Sequence, residues 1–124
     1  MSLGTSSLAA FITTSDPVEA RNFYEGILGL TFVSEDQYAI VFDSNGTTLR
    51  IQKMPSVEPK PFTTLGWHVD DIAASVAALS AKGIKFERYD FMQPDDLGIV
   101  TFDGGARVAW FKDPDGNLLS LDQY

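Results

Sequence analysis

The chain has no cysteine and only one histidine among 124 residues. The first absence excludes a disulfide framework, thiol catalysis, iron–sulfur clusters and cysteine-built zinc sites. The second excludes any site that needs two imidazoles from one chain. Positive charge is scarce as well: nine Lys and Arg stand against seventeen Asp and Glu, for a formal net charge of −8. Phosphate backbones are gripped through Lys and Arg, so DNA and RNA are disfavoured as partners. Long apolar runs are missing too. The longest early one, Leu8-Ala9-Ala10-Phe11-Ile12, falls far short of the roughly 20 residues of a membrane span and lacks the flanks of a signal peptide. No membrane partner is expected, and the cytoplasm is the compartment expected by exclusion.

What is present is the composition of a folded domain. Hydrophobic residues make up 44% and aromatics 12%, against 21% charged, which argues against disorder. The length suits one compact domain that buries roughly two-thirds of the surface its unfolded chain exposes.

The chain repeats itself. In the first half, Leu8–Thr14 is apolar and β-rich, Ser15-Asp16 offers a helix N-cap, and Pro17 takes the favoured first helical position. Ala20, Phe23, Tyr24, Ile27 and Leu28 recur at helical spacing, and Gly29 ends the helix. Strands are expected at Leu30–Ser34, Tyr38–Asp43 and Thr47–Lys53, with Asn45-Gly46 as the tight turn between the last two. The second half repeats this order. A strand at Leu65–Val69 precedes a helix capped by Asp70-Asp71, with Ile72, Val76 and Leu79 on one face and Gly83 at its end. Strands follow near Ile84–Tyr89, Arg107–Phe111 and Leu118–Gln123, with a short edge run at Gly98–Phe102 turning through Asp103-Gly104-Gly105. Aligning Asp16 with Asp71 gives an offset of 55; aligning Asn45-Gly46 with Asp115-Gly116 gives 70. Residues 1–7 are expected to be a flexible terminus or a cloning remnant. Residues 8–124 form one domain, with one module over about 8–53, a proline-bearing connector over 54–63, and a second module over about 64–123. The fold class is α+β, with two βαβββ modules whose paired sheets cover each other's open faces.

This order, with Phe23-Tyr24-x-x-x-Leu28-Gly29 in the first module and Phe111-x-Asp113-Pro114-Asp115-Gly116-Asn117 in the second, resembles the vicinal oxygen chelate superfamily. That group contains glyoxalase I, bleomycin resistance proteins, extradiol dioxygenases and fosfomycin resistance enzymes. The resemblance covers about residues 8–123 and implies a curved, half-open barrel-like sheet with helices outside. It also implies a homodimer, in which units are sometimes exchanged between chains. In metal-dependent members, the first and last strands of each module supply ligands to a divalent cation. The corresponding positions here are Ala9, Arg50, Thr64 and Ser120. Alanine has no donor atom, neutral hydroxyls are weak ligands, and a guanidinium repels a cation. No metal and no other cofactor is expected.

Strand alternation then sorts the residues that face an inferred cleft. Phe11 goes with Ala9, His68 with Thr64, Gln52 with Arg50, and Asp122 with Ser120. The resemblance also places a substrate-contacting side chain three residues before Asp113, at Trp110. The candidate lining is therefore Phe11, Arg50, Gln52, Thr64, Trp110 and Ser120, with His68 as the candidate catalytic residue. His68 is either a general base or hydrogen-bond donor to a ligand, or a strand histidine bonded to backbone or to Asp70. Arg50 either meets an anionic ligand or pairs structurally with Asp122 or Glu87. Arg88 is a weaker version of the same idea. Trp110 and Phe11 either stack a planar ligand or fill core. Trp67 faces away from His68 and packs under a helix. Asp95-Asp96 is a solvated loop or a lid over the cleft.

Three functions fit these residues. The first is a metal-independent small-molecule binder like the bleomycin resistance proteins. The second is a glyoxalase-like lyase or isomerase with an atypical site. The third is a regulatory or structural module with an occluded cavity.

Overall fold

The computed structural model describes residues 2–124. The chain forms two compact units, one ending at Glu58 and one spanning Pro59–Tyr124. Each contains an open four-stranded mixed sheet, and neither sheet closes into a barrel. Of the N-terminal segment expected to be loose, Met1 lies outside the described residues. Leu3–Thr5 form a single 3₁₀ turn capped by the Ser2 side chain.

In the first unit, β1 (Ala9–Thr14) leads into α1 (Pro17–Arg21), followed by β2 (Thr31–Glu35), β3 (Ala39–Ser44) and β4 (Thr47–Lys53). The capping signals act as expected. Asp16 accepts the Glu19 N–H, Pro17 occupies the first turn, and α1 runs on through a π-helical turn over Asn22–Ile27. Gly29 closes it at φ 77, the left-handed region that glycine adopts at little cost. The strand order is β1-β4-β3-β2, with β1 parallel to β4. One sheet face carries Ile12, Leu49 and Ile51, all buried with Tyr24, Ile40 and Phe42. Each such side chain contributes about 1.5–3 kcal/mol through removal from water.

In the second unit, β5 (Leu65–His68) is followed by α2 (Ile72–Ala81), β6 (Val100–Thr101), β7 (Arg107–Lys112) and β8 (Leu118–Gln123). The order β5-β8-β7-β6 repeats that of the first unit. Asp71 caps α2 by accepting the Ala74 N–H, and Ile72 and Val76 bury its inner face. Trp67 stacks on Phe111 with ring centroids 6.5 Å apart, on the face opposite His68 as alternation requires.

One element differs from expectation. Ile84–Tyr89 is not a strand. It runs beside β7 through one backbone bond, from the Glu87 N–H to the Trp110 carbonyl, 2.8 Å. Phe86 is buried with its ring 5.4 Å from Phe111. The apolar pattern of this segment thus reflects packing of Phe86 rather than a ladder. The paired edge is the two-residue β6, inside the expected edge run Gly98–Phe102. Between Glu87 and β6 the chain leaves the sheet in a long excursion, where the alignment offset widens from 55 to 70 residues.

Candidate functional site

The excursion and the connector meet on the sheet face that carries Trp110. Within the second unit they enclose an open cavity of about 500 Å³. Its aromatic wall is Trp110 from β7, with Tyr89 and Phe91 from the excursion and Phe62 from the connector. The Tyr89 and Trp110 rings meet edge to face at 5.6 Å, and Tyr89 lies 6.3 Å from Phe91. The Trp110 indole N–H donates to Thr63 Oγ1 over 3.1 Å, which fixes the ring plane and ties connector to sheet. Phe102 packs edge to face on Trp110 from 6.4 Å. Phe91 and Phe62 are 85% and 58% exposed. These are large apolar surfaces left in water beside a cavity, as small-molecule sites commonly have.

Local chemistry explains why the walls hold. Asp95 braces the excursion: its Oδ1 accepts the N–H groups of Leu97 and Ile99, each at 2.9 Å, and its carbonyl accepts Arg88 Nη1 at 2.8 Å. The Asp95-Asp96 run is therefore a stapled turn on its Asp95 side rather than a purely solvated loop. Arg88, a weak candidate for ligand contact, is committed to that turn. At the base, the buried Asp113 accepts the N–H groups of Asp115 and Asn117 through Oδ1, and Asn117 Nδ2 through Oδ2. The Asp-Pro-Asp-Gly-Asn motif builds this β7–β8 turn, and Gly116 lies so close to Pro59 that a Cβ would sit 3.0 Å from its ring.

Of the expected second-unit lining, only Trp110 borders the cavity. Thr64 is turned to structure, its hydroxyl donating to the Leu118 carbonyl at 3.1 Å. Ser120 is buried in register between Trp110 and Gly66. His68 Nδ1 lies 2.8 Å from Asp122 Oδ1, and its ring sits 4.4 Å from that of Tyr124. Its partner is thus Asp122, not Asp70. In the first unit, Phe11 and Arg50 are register neighbours and Gln52 stands opposite Thr13. Phe11 is 54% exposed, on the face opposite the buried Ile12 and Ile51. Glu87, offered as a partner for Arg50, pairs with Lys112, and Asp122 pairs with His68. Among the described residues of the first unit, Arg50 has no ion pair. It contributes, after two backbone hydrogen bonds from Tyr38 and Ala39, to holding the Asp36 carboxyl below its ordinary value.

Sequence reasoning missed Tyr89, Phe91, Phe62, Lys60 and Lys112. The usable signal was Phe91-Met92 and Phe62 standing among polar and proline residues, where large apolar side chains have no core to join. Periodicity carries no information in such segments.

A superfamily of this architecture includes metal enzymes, so the donor set bears on chemistry. Ala9 offers no donor, Arg50 is cationic, Thr64 is engaged with a carbonyl, and Ser120 is a neutral hydroxyl. These residues do not fit a divalent cation. Among the described residues, no three His, Cys, Asp or Glu side chains converge. Also among them, no helix is long and apolar enough to cross a membrane.

No functionally curated protein shows significant similarity to the chain. Among solved structures, a superfamily member from Sphaerobacter thermophilus matches with TM-score 0.76 and 23% identity, over 97% of this chain and 98% of that one. An antibiotic binding protein from a Streptomyces species matches with TM-score 0.73 and 23% identity, over 96% and 95%. A lactoylglutathione lyase from Agrobacterium tumefaciens gives 0.74 and 14%, over 96% and 93%. At these identities the likeness is one of fold. The family model matches residues 7–121, and the chain belongs to the Glyoxalase/Bleomycin resistance protein/Dioxygenase superfamily.

Proposed function

We propose that this chain is a small-molecule-binding member of its superfamily, which holds a planar aromatic ligand against Trp110 without a metal ion. The observation that carries the reading is the cavity of about 500 Å³ whose wall combines Trp110, Tyr89, Phe91 and Phe62. Its size falls in the range of ligand sites. Rings offered edge-on and face-on suit a flat π-system. The identities of Ala9, Arg50, Thr64 and Ser120 support independence from metal. The likeness to an antibiotic binding protein is in keeping with capture rather than turnover. Isothermal calorimetry with planar aromatic compounds tests it. Saturable 1:1 binding is expected, weakened about tenfold or more by Trp110→Ala, as loss of an aromatic stack implies. Binding that ignores Trp110→Ala contradicts the reading.

A second reading, a lyase or isomerase, has one observation in its favour. The Asp122 carboxylate orients His68 through Nδ1, leaving Nε2 as the proton-accepting atom. Turnover of a hemithioacetal that His68→Ala abolishes would establish it. The binder reading expects no turnover in either protein.

The chain is further proposed to act as a homodimer. Phe11 and Leu8, at and just before the edge strand β1, leave 54% and 77% of their surfaces exposed in the first unit, apolar surface that a second copy would cover. Phe11 beside Arg50, with Gln52 on the same face, gives that unit a surface suited to the same ligand chemistry. Light scattering at micromolar concentration should give the mass of two chains; the mass of one contradicts it.

A further inference from the structure

We infer that residues 89–94 form a flap that closes over the ligand at Trp110 and lays the Phe91 ring on its outer face, so that the site selects flat fused rings over puckered ones of the same outline. The inference rests on the proposed reading of the Trp110 cavity as the binding site. It adds how the ligand is covered and which shape is selected.

Both ends of the segment are fastened and its middle is not. Before it, the Glu87 N–H donates to the Trp110 carbonyl at 2.8 Å. Arg88 Nη1 donates to the Asp95 carbonyl at 2.8 Å, which clasps the two ends together. After it, the Asp95 N–H donates to the Ile99 carbonyl, and Asp95 Oδ1 accepts the Leu97 and Ile99 N–H groups. Among the described residues, the hydrogen bonds of 89–94 themselves run only within the segment. The Met92 N–H donates to the Tyr89 carbonyl at 2.8 Å and the Gln93 N–H to the Asp90 carbonyl at 3.0 Å. Its ring contact with the sheet is Tyr89, edge to face on Trp110 at 5.6 Å. A segment with so few bonds to its surroundings opens and closes at low free-energy cost.

This segment carries a large apolar side chain left in water. Phe91 is 85% exposed and its ring contact is with Tyr89, 6.3 Å away, yet it borders the cavity. Covering such a ring is favourable. The backbone that holds it outward is strained. Gln93 ends the 3₁₀ turn Asp90–Met92 at φ 55 and ψ 58, the left-handed region that residues other than glycine seldom adopt. Rotation at Tyr89 and Gln93, with the Arg88–Asp95 clasp kept, swings Phe91 toward Trp110 and lets Gln93 return to an ordinary conformation.

The closed site is a slot. Stacked carbon atoms touch at about 3.5–4.0 Å, so a flat ring between Trp110 and Phe91 needs a gap of about 7 Å. A saturated bicycle has hydrogens standing off both faces; it is too thick for that slot and keeps the flap open. Trp110 alone would accept either shape through burial of apolar area, whereas two facing rings select planarity.

The test uses the full chain and two probes of equal charge and similar outline, 2-naphthoate and decahydro-2-naphthoate. Because the chain has no cysteine, Asp90→Cys, at an exposed position of the flap, provides a single thiol for a nitroxide spin label. Its EPR spectrum is expected to be mobile in the free protein and to broaden on saturation with naphthoate but not with the saturated probe. By calorimetry, naphthoate should bind about tenfold tighter than the saturated probe. Phe91→Ala should weaken naphthoate about tenfold through faster dissociation and cut that preference to about twofold or less. Phe91→Tyr should keep it, and Phe91→Ala should leave the Tm of the free protein unchanged, since the ring is exposed. A label that stays mobile with naphthoate bound, or is immobile before ligand is added, overturns the flap. So does a Phe91→Ala variant with unchanged affinity and preference. In each of these cases the site reading stands if Trp110→Ala still weakens naphthoate. Absence of naphthoate binding, or binding untouched by Trp110→Ala, overturns both.

Discussion

At the scale of single residues, the chain separates groups that hold the site from groups that face it. Asp113 holds: with both carboxylate oxygens engaged and 6% of its surface exposed, Asp113→Ala leaves the Asp115 and Asn117 N–H groups without their acceptor. The expected loss is about 2–4 kcal/mol by urea denaturation; a change below about 0.5 kcal/mol would show that the turn rests on something else. Trp110 faces the cavity, and because Trp110→Phe keeps a ring there but removes the exposed bond to Thr63, it is expected to cost about 1 kcal/mol or less by urea denaturation. The legibility of these residues in the sequence follows from their physics. Asp-Pro-Asp-Gly-Asn is readable because every residue in it is a local backbone choice. Trp110 was readable through alignment to that motif on the same strand. His68 gave its face by alternation but not its partner, because Asp122 lies 54 positions away and is brought alongside only by parallel pairing of β5 with β8.

At the scale of elements, the two βαβββ units were legible because caps, helical spacing and glycine stops agree at each boundary. The failure at Ile84–Tyr89 is equally physical, since a buried Phe86 produces the same apolar signal as a paired strand. The excursion that follows is what makes the cavity. Asp95→Ala removes the acceptor of the Leu97 and Ile99 N–H groups and is expected to raise their hydrogen-exchange rates at least tenfold, with weaker ligand binding and little change in global stability. Unchanged exchange at both amides would contradict the brace. The β2–β3 turn carries a pH signature. Asp36 accepts the N–H groups of Tyr38 and Ala39 at 2.8 and 2.9 Å. These bonds, then the nearby Arg50 and Lys53 charges, hold its carboxyl below the ordinary value of 3.8. A carboxyl whose folded-state value is depressed stabilises the fold above its unfolded value and loses that contribution as pH falls through the folded one. The stability gap between wild type and Asp36→Ala should therefore be constant near neutrality and narrow as the pH drops below 3.8. A gap that widens in acid would reverse the sign.

At the scale of the whole molecule, the scarcity of histidine and the absence of cysteine give the chain a superfamily architecture without that superfamily's usual metal donors. The proposed binding role rests on an aromatic wall that composition alone does not reveal, because three of its four rings come from a connector and an excursion with no periodicity. Binding should appear as stabilisation. Ligand at a hundred times its Kd adds about 2.7 kcal/mol and raises Tm, an effect that a tenfold weakening by Trp110→Ala cuts to about 1.4 kcal/mol at the same ligand concentration. The most direct measurement of the central claim is a two-dimensional ¹⁵N–¹H spectrum of the indole region during titration with 2-naphthoate. The chain has two tryptophans, so two indole N–H signals report on opposite faces of one sheet. The account predicts that the Trp110 signal, whose proton is donated to Thr63, shifts saturably while that of Trp67, stacked on Phe111, stays in place. A shift at Trp67 with Trp110 unmoved, or no shift at either, would contradict it.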